Sequence, residues 1–197
     1  MRFDVSTEPM WIPEEYASIP IAFEVSRVFD IADPHDGVGE FVLTERIVEV
    51  PYVKDYDAID GGHPVQWAMR FDMSNWGLFA ARKEGRLVGG AVVAFNTSGL
   101  NMLEGRGDLA VLWDIRVASK ARGRGVGSAL FRAAEDWARA RGCKQLTIET
   151  QNINVPACRF YARQGCVLVA VNRLAYPELP GETQLLWCRD LIHNKHG

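Results

Sequence analysis

The chain lacks most of the features that would place it at a glance. Its four cysteines, Cys143, Cys158, Cys166 and Cys188, form no C-x-x-C pair, and His35, His63, His193 and His196 are scattered or terminal. No zinc-site spacing is present, so no metal is expected and the thiols are expected to be reduced. No eighteen apolar residues run together, and "MRFDVSTEPMW" has no basic segment followed by an apolar core. The expectation is a cytoplasmic protein with no membrane partner and no export signal. Basic residues are not in excess, 22 Lys and Arg against 25 Asp and Glu, which argues against a nucleic-acid partner. Any positive site must therefore be local. No internal repeat, low-complexity tract or linker divides the 197 residues, so a single domain is expected over 1–197.

What is present has ordinary globular composition, 48% hydrophobic and 24% charged. "IAFEVSRVFDIA" (21–32) alternates apolar and polar residues with one slip and predicts a strand, after which "DPHDGVG" reads as a loop. "FVLTERIVEV" (41–50) predicts a second extended segment, and "PVQWAMRFDMSNW" (64–76) is either irregular or a short helix. In "GLFAARKEGRLVGGAVVAFNT" (77–97) two apolar runs flank the charged turn "KEGR", which is a hairpin signal. "LAVLWDIRVA" (109–118) is an apolar run broken by Asp114 and Arg116, the pattern of a buried central strand that carries two polar groups. From 127 to 141, Leu130, Ala133, Ala134, Trp137 and Ala138 share one helical stripe, opposite Arg132, Glu135, Asp136 and Arg139, and Gly142 supplies a stop. "CKQLTIET" predicts a strand, "VPACRFYARQG" a short helix, and "CVLVAVNRLAY" and "TQLLWCRDL" two closing strands. This order predicts a mixed α+β sheet with helices on its faces.

One stretch stands out: "ARGRGVGSALF" sets three glycines at alternate positions between and beyond two arginines, then runs into the amphipathic helix. A helix N-terminus carries unpaired N–H groups and partial positive charge, and bare glycines let a phosphate reach those donors. A nucleoside-triphosphate loop is excluded, because no lysine follows the glycines. A dinucleotide turn keeps the strand–glycine–helix–strand order, with Glu149 where a ribose-binding acid would be. Its spacing, however, is G-x-G-x-G, and "ASKAR" separates strand from glycine. A flexible loop with solvated arginines is a further reading.

Arg122, Gly125 and Gly127 form R-x-x-G-x-G, which resembles the acyl-coenzyme A motif of the GNAT N-acetyltransferase superfamily. Downstream, "LTIETQNINVPACRFYARQGC" resembles that superfamily's next motif, with Asn154, Ala157, Phe160, Tyr161 and Gly165 in its positions. The likeness covers 109–166 and departs at Cys166, where an aromatic is usual. Within the superfamily, "WDIRVASKARGRGVGSAL", "ETQNINVPACRFY" and the upstream "VPYVKDYDAID" look most like the streptothricin acetyltransferases, among which Trp113 replaces an acid. The resemblance implies a mixed, mostly antiparallel α+β sheet with helices on both faces, splayed at the acyl-CoA slot. Core motifs would span 77–191, with substrate-side strands and loops in 1–76.

The resemblance also implies acetyl-CoA as co-substrate. Its pantetheine would lie along the main chain of Ile115, Arg116 and Val117. Its phosphates would meet Arg122, Gly123, Arg124, Gly125, Val126, Gly127 and Ser128. Tyr161 would act as general acid at the sulfur, while Asn154 would bind the cofactor or cap the helix opened by Pro156. Asp114 and Glu149, in the central strand and at the end of the next, are candidates to hold a cationic amine or draw its proton through water. Structural ion pairs, Asp114 with Arg116 or Glu149 with a lysine, are the competing reading. Trp113 is either a wall of the substrate site or core, whereas Trp67, Trp76 and Trp187 are expected to pack. The expected acceptor is a small cationic amine such as streptothricin. An aminoglycoside, a polyamine, a protein amine, and a non-catalytic acyl-CoA sensor stay open, as does a homodimer.

Overall fold

Apolar runs and alternating stretches become strands largely where the pattern puts them, over residues 2–10, 12–32, 41–59 and 61–192 of a computed structural model. In chain order these are β1 Asp4–Glu8, α1 Glu14–Ala17, β2 Phe23–Ala32, β3 Val42–Lys54, α2 Trp67–Arg70, β4 Gly77–Lys83, β5 Arg86–Phe95 and β6 Leu109–Val117. There follow α3 Val126–Ala140, β7 Gln145–Gln151, α4 Val155–Arg163, β8 Val167–Asn172 and β9 Gln184–Asp190. The "DPHDGVG" loop reading, with His35, His193 and His196, lies outside the described residues.

The chain divides into two compact units. The first comprises Met1–Ile21, Asp55–Ile148 and Cys188–Gly197, and the second Ala22–Lys54 and Glu149–Trp187. In the first, strands follow the order β1-β4-β5-β6-β7. All neighbours are antiparallel except β6 and β7, which run parallel around the crossover helix α3. The mixed, mostly antiparallel sheet is thus as expected. β1 and α1 were not foreseen, for β1 is a five-residue polar edge strand, DVSTE, with no apolar alternation to betray it.

One face of this sheet packs Leu78, Val92, Ala94 and Val111 against Tyr16, Trp67, Trp76, Leu100 and Leu103. The amphipathic α3 covers β4 to β6 with Leu130, Phe131, Ala134 and Ala138, all fully buried. Burial of each large side chain there contributes about 1.5–3 kcal/mol. Adjacent glycines on β5 admit both layers: a Cβ on Gly89 would lie 3.0 Å from Val126 Cγ1, and one on Gly90 only 2.5 Å from Tyr16 Cε2.

The second unit holds the β2–β3 ladder, the end of β7, and the order β7-β9-β8. Val25, Val28 and Ile153 form its small core, with Phe23 and Val48 alongside. β3 runs to Lys54, beyond the expected end at Val50, because the register shifts between Val25↔Tyr52 and Arg27↔Ile47. Pro51 falls inside that irregularity, where its missing N–H breaks no ladder bond.

Candidate active site

At the N-terminus of α3 the chain makes a short turn, Ser119–Ala121, and the Arg122 Nε donates to the carbonyl of Val117 at 3.0 Å. Gly123 (φ 71°) and Gly125 (φ 84°) both adopt the left-handed conformation, which explains glycine at each. Gly125 caps α3 with no side-chain hydrogen bond, and a Cβ on either glycine would meet nothing within 4 Å. The surface over these main-chain donors is therefore open. Arg122 and Arg124 are exposed on either side of Gly123, while buried Val126 anchors the first turn that Gly127 and Ser128 continue. Bare donors, the positive end of a fifteen-residue helix and two guanidiniums make this an anion cradle.

The strand leading into it is unusual. β6 pairs with β7 only from Leu109↔Gln145 to Leu112↔Ile148, yet pairs with β5 through Val117. Among the described residues of this unit, the far edge of 113–117 has no partner strand. Opposite the step from Val92↔Asp114 to Val93↔Leu112, Trp113 is the extra residue of a β-bulge. Trp113 packs among Phe71, Trp76 and Trp67, with ring centroids at 5.3, 5.5 and 6.1 Å.

Beside it, Asp114 and Arg116 meet directly. The Arg116 Nε and Nη2 donate to the two Asp114 oxygens at 2.7 and 3.2 Å. Nη1 and Nη2 also donate to Asp57 at 3.0 and 3.2 Å, and Nη1 donates to the carbonyl of Ile19 at 3.0 Å. The Tyr16 hydroxyl donates to Asp114 Oδ2. The Arg116 and Asp114 side chains are 1% and 4% exposed. Burial opposes the charge on Arg116, but the carboxylates outweigh it and raise the guanidinium's pKa. Burial and the Asp114 charge push the Tyr16 phenol well above its ordinary value. The Asp114 oxygens are thus committed inward, as in the ion-pair reading. Asp57, Tyr16 and Ile19 were missed, since no spacing rule links residues 59 and about a hundred positions away.

The second unit carries Glu149, Asn154 and Tyr161. Glu149, half-buried at the end of β7, accepts from the Tyr176 hydroxyl at 2.5 Å on Oε1 and from Gln184 Nε2 at 2.7 Å on Oε2. Gln151 Nε2 in turn donates to the Tyr176 oxygen at 3.0 Å. Burial, and then the Glu149 charge, push the Tyr176 phenol's pKa up. Neither Tyr176 nor Gln184 was singled out from the sequence. Asn154 caps α4, its Oδ1 accepting from the N–H of Ala157 at 3.2 Å, and Tyr161 is buried on that helix beside Phe160. Burial raises the Cys158 thiol to about 11, so it offers no thiolate nucleophile near neutrality. The four cysteines are thiols, not joined in disulfides. Among the described residues no cluster of His, Cys, Asp and Glu could hold a metal, and no helix is long and apolar enough to cross a membrane.

The profile of the Acetyltransferase (GNAT) family matches residues 46–166. A streptothricin acetyltransferase from Escherichia coli is 32% identical over 182 residues, 89% of this chain and 91% of the relative. Streptothricin acetyltransferase A from Bacillus subtilis (strain 168) is 30% identical over 151 residues, 76% of this chain and 79% of the relative. Among solved structures, a nourseothricin acetyltransferase crystal structure is similar with a TM-score of 0.73 and 29% identity, covering 96% of this chain and 98% of the other.

Proposed function

The chain belongs to the GNAT acetyltransferase family and is an acetyl-CoA-dependent N-acetyltransferase, and from that premise we propose that it acetylates a primary amine of a small cationic acceptor of the streptothricin kind. The observation that carries the reading is the uncapped, side-chain-free N-terminus of α3, flanked by Arg122 and Arg124. It follows, after the Ser119–Ala121 turn, a strand whose last five residues lack a second partner strand among the described residues of their own unit. Both features fit a long ligand with a diphosphate at one end and an amide-bearing arm.

When bound, acetyl-CoA supplies an activated acetyl thioester. The main-chain N–H groups of Gly123, Gly125, Val126, Gly127 and Ser128 hold its diphosphate, with charge from Arg122 and Arg124. The main chain of Ile115, Arg116 and Val117 takes the pantetheine arm as a strand would. Asp114, held by Arg116 and Tyr16, fixes that stretch of β6 in place. Asn154 holds the start of α4, the helix that carries Tyr161, in shape. Glu149 would receive the acceptor's ammonium and, through water, take one proton from it, so that the neutral amine attacks the acetyl carbon. Tyr161 would give its phenolic proton to the departing sulfur as a C–N bond replaces the C–S bond, and the second proton lost by the nitrogen would restore the phenol. The names of the relatives support streptothricin as acceptor.

Thiol release from acetyl-CoA, followed with streptothricin, an aminoglycoside, a polyamine and a peptide amine, tests this reading. Thiol is expected with streptothricin, and replacing Arg122 and Arg124 by Ala should weaken acetyl-CoA binding roughly tenfold or more. Silence with every amine, alongside intact acetyl-CoA binding, would replace the enzyme with a sensor. Unchanged binding in the double variant would remove the cradle.

A further inference from the structure

Other partly or fully buried carboxylates among the described residues sit against cations: Asp114 and Asp57 on Arg116, Glu135 on Arg139 and Arg189, Glu45 on Arg27 and Arg159, Asp108 on Arg106 and Lys144, Glu8 on Arg82, and Glu182 on Lys54. Glu149 has no cationic partner among the described residues. Its two oxygens are met by neutral donors, a phenol and a primary amide. A carboxylate has about four lone-pair sites, so two remain for another donor. Neutral donors stabilise the anion without cancelling its charge, whereas a lysine at either place would cancel it.

The direction of the phenolic proton is also set. Gln151 donates to the Tyr176 oxygen, so that oxygen is an acceptor toward Gln151 and its own O–H is left to point at Glu149. Glu182, from the segment before β9, also acts on Tyr176, and Lys54 of β3 engages Glu182. Tyr176 comes from the loop after β8 and Gln184 from β9, so two returns of the chain aim at one carboxylate.

We infer that Tyr176 and Gln184 are positioning residues for the transfer reaction: they orient the Glu149 carboxylate and preserve its full negative charge for the acceptor's ammonium. This rests on the reading of Glu149 as the acceptor-facing carboxylate. Removing one donor loosens the carboxylate, while adding a cation in its place fills the seat meant for the substrate. The second change should therefore do more damage than the first, although it supplies a hydrogen bond where the first supplies none.

The test is steady-state kinetics with acetyl-CoA and streptothricin on Tyr176→Phe, Gln184→Lys and Glu149→Gln, with melting temperature recorded for each. Tyr176→Phe should raise KM for streptothricin about tenfold, and Gln184→Lys should raise it further, on the order of a hundredfold. KM for acetyl-CoA should stay within about twofold of wild type in both. Wild-type acceptor KM in these two variants would overturn the inference, as would equal losses for both substrates, the mark of a merely structural role. If Glu149→Gln raises the acceptor KM while Tyr176→Phe does not, only the positioning role falls. If Glu149→Gln leaves that KM unchanged, or wild-type protein does not turn over streptothricin, the reading of the site falls and takes the inference with it.

Discussion

Asp114 in the first unit and Glu149 in the second invite comparison, for each lies on a β-strand and each accepts a hydrogen bond from a tyrosine. Asp114 shares a buried guanidinium with Asp57, whereas Glu149 is met by a phenol and an amide alone. The first arrangement pairs Asp114 with a cation inside the protein, although its two carboxylates outnumber the one guanidinium, and it ties α1 and the segment around Asp57 to β6. The second leaves a net negative charge in place with a fixed orientation. Two acids read as equivalent from the sequence thus divide into one that holds the fold and one that can hold a cation, and the partner's charge decides which.

That contrast can be broken most sharply at Arg116. Arg116→Met should leave two inward-facing aspartates unpaired and cost about 3–5 kcal/mol in denaturant unfolding, while Glu149→Gln should cost less than about 1 kcal/mol. Comparable losses would erase the distinction. The two tyrosines offer a smaller effect: Tyr16→Phe should lower stability by about 1.5–3 kcal/mol with the acceptor KM unmoved, the reverse of the pattern expected for Tyr176→Phe. An acceptor KM that rises in Tyr16→Phe would put both carboxylates in the same role. The smallest expected change is at Asp57, whose side chain is 15% exposed and which shares Arg116 with Asp114. Asp57→Asn should cost about 1 kcal/mol by equilibrium unfolding, and a loss as large as that of Arg116→Met would mean that Asp57, not Asp114, anchors the guanidinium.

Much of this was legible in the sequence because it is local. The stripe of Leu130, Ala134 and Ala138, the "KEGR" turn and the glycines before α3 each declare themselves within a few residues, and the structure places a helix, a hairpin and an uncapped helix end there. The ion pair of Asp114 with Arg116 was likewise within reach, two residues apart on one strand. What escaped depends on the chain's return. Asp57 reaches Arg116 from 59 positions away, and Tyr176 and Gln184 reach Glu149 from 27 and 35, with no periodicity linking either set. The stretch "VPYVKDYDAID" drew notice only by resemblance, and the carboxylate in it that matters to the fold is the one that grips β6. The expected extended segment 41–50 stops short of the strand's end at Lys54, and Pro51 lies where the register is irregular and a missing N–H is tolerated.

The bare position at Gly90 belongs to the charged array although it has no polar atom of its own. A methyl group there would press on the ring of Tyr16, and a shift of that ring would carry its hydroxyl away from Asp114. The fidelity of a buried hydrogen bond is thereby entrusted to an empty space on the neighbouring strand, and an alanine, the mildest of replacements by size, would be felt first as electrostatics.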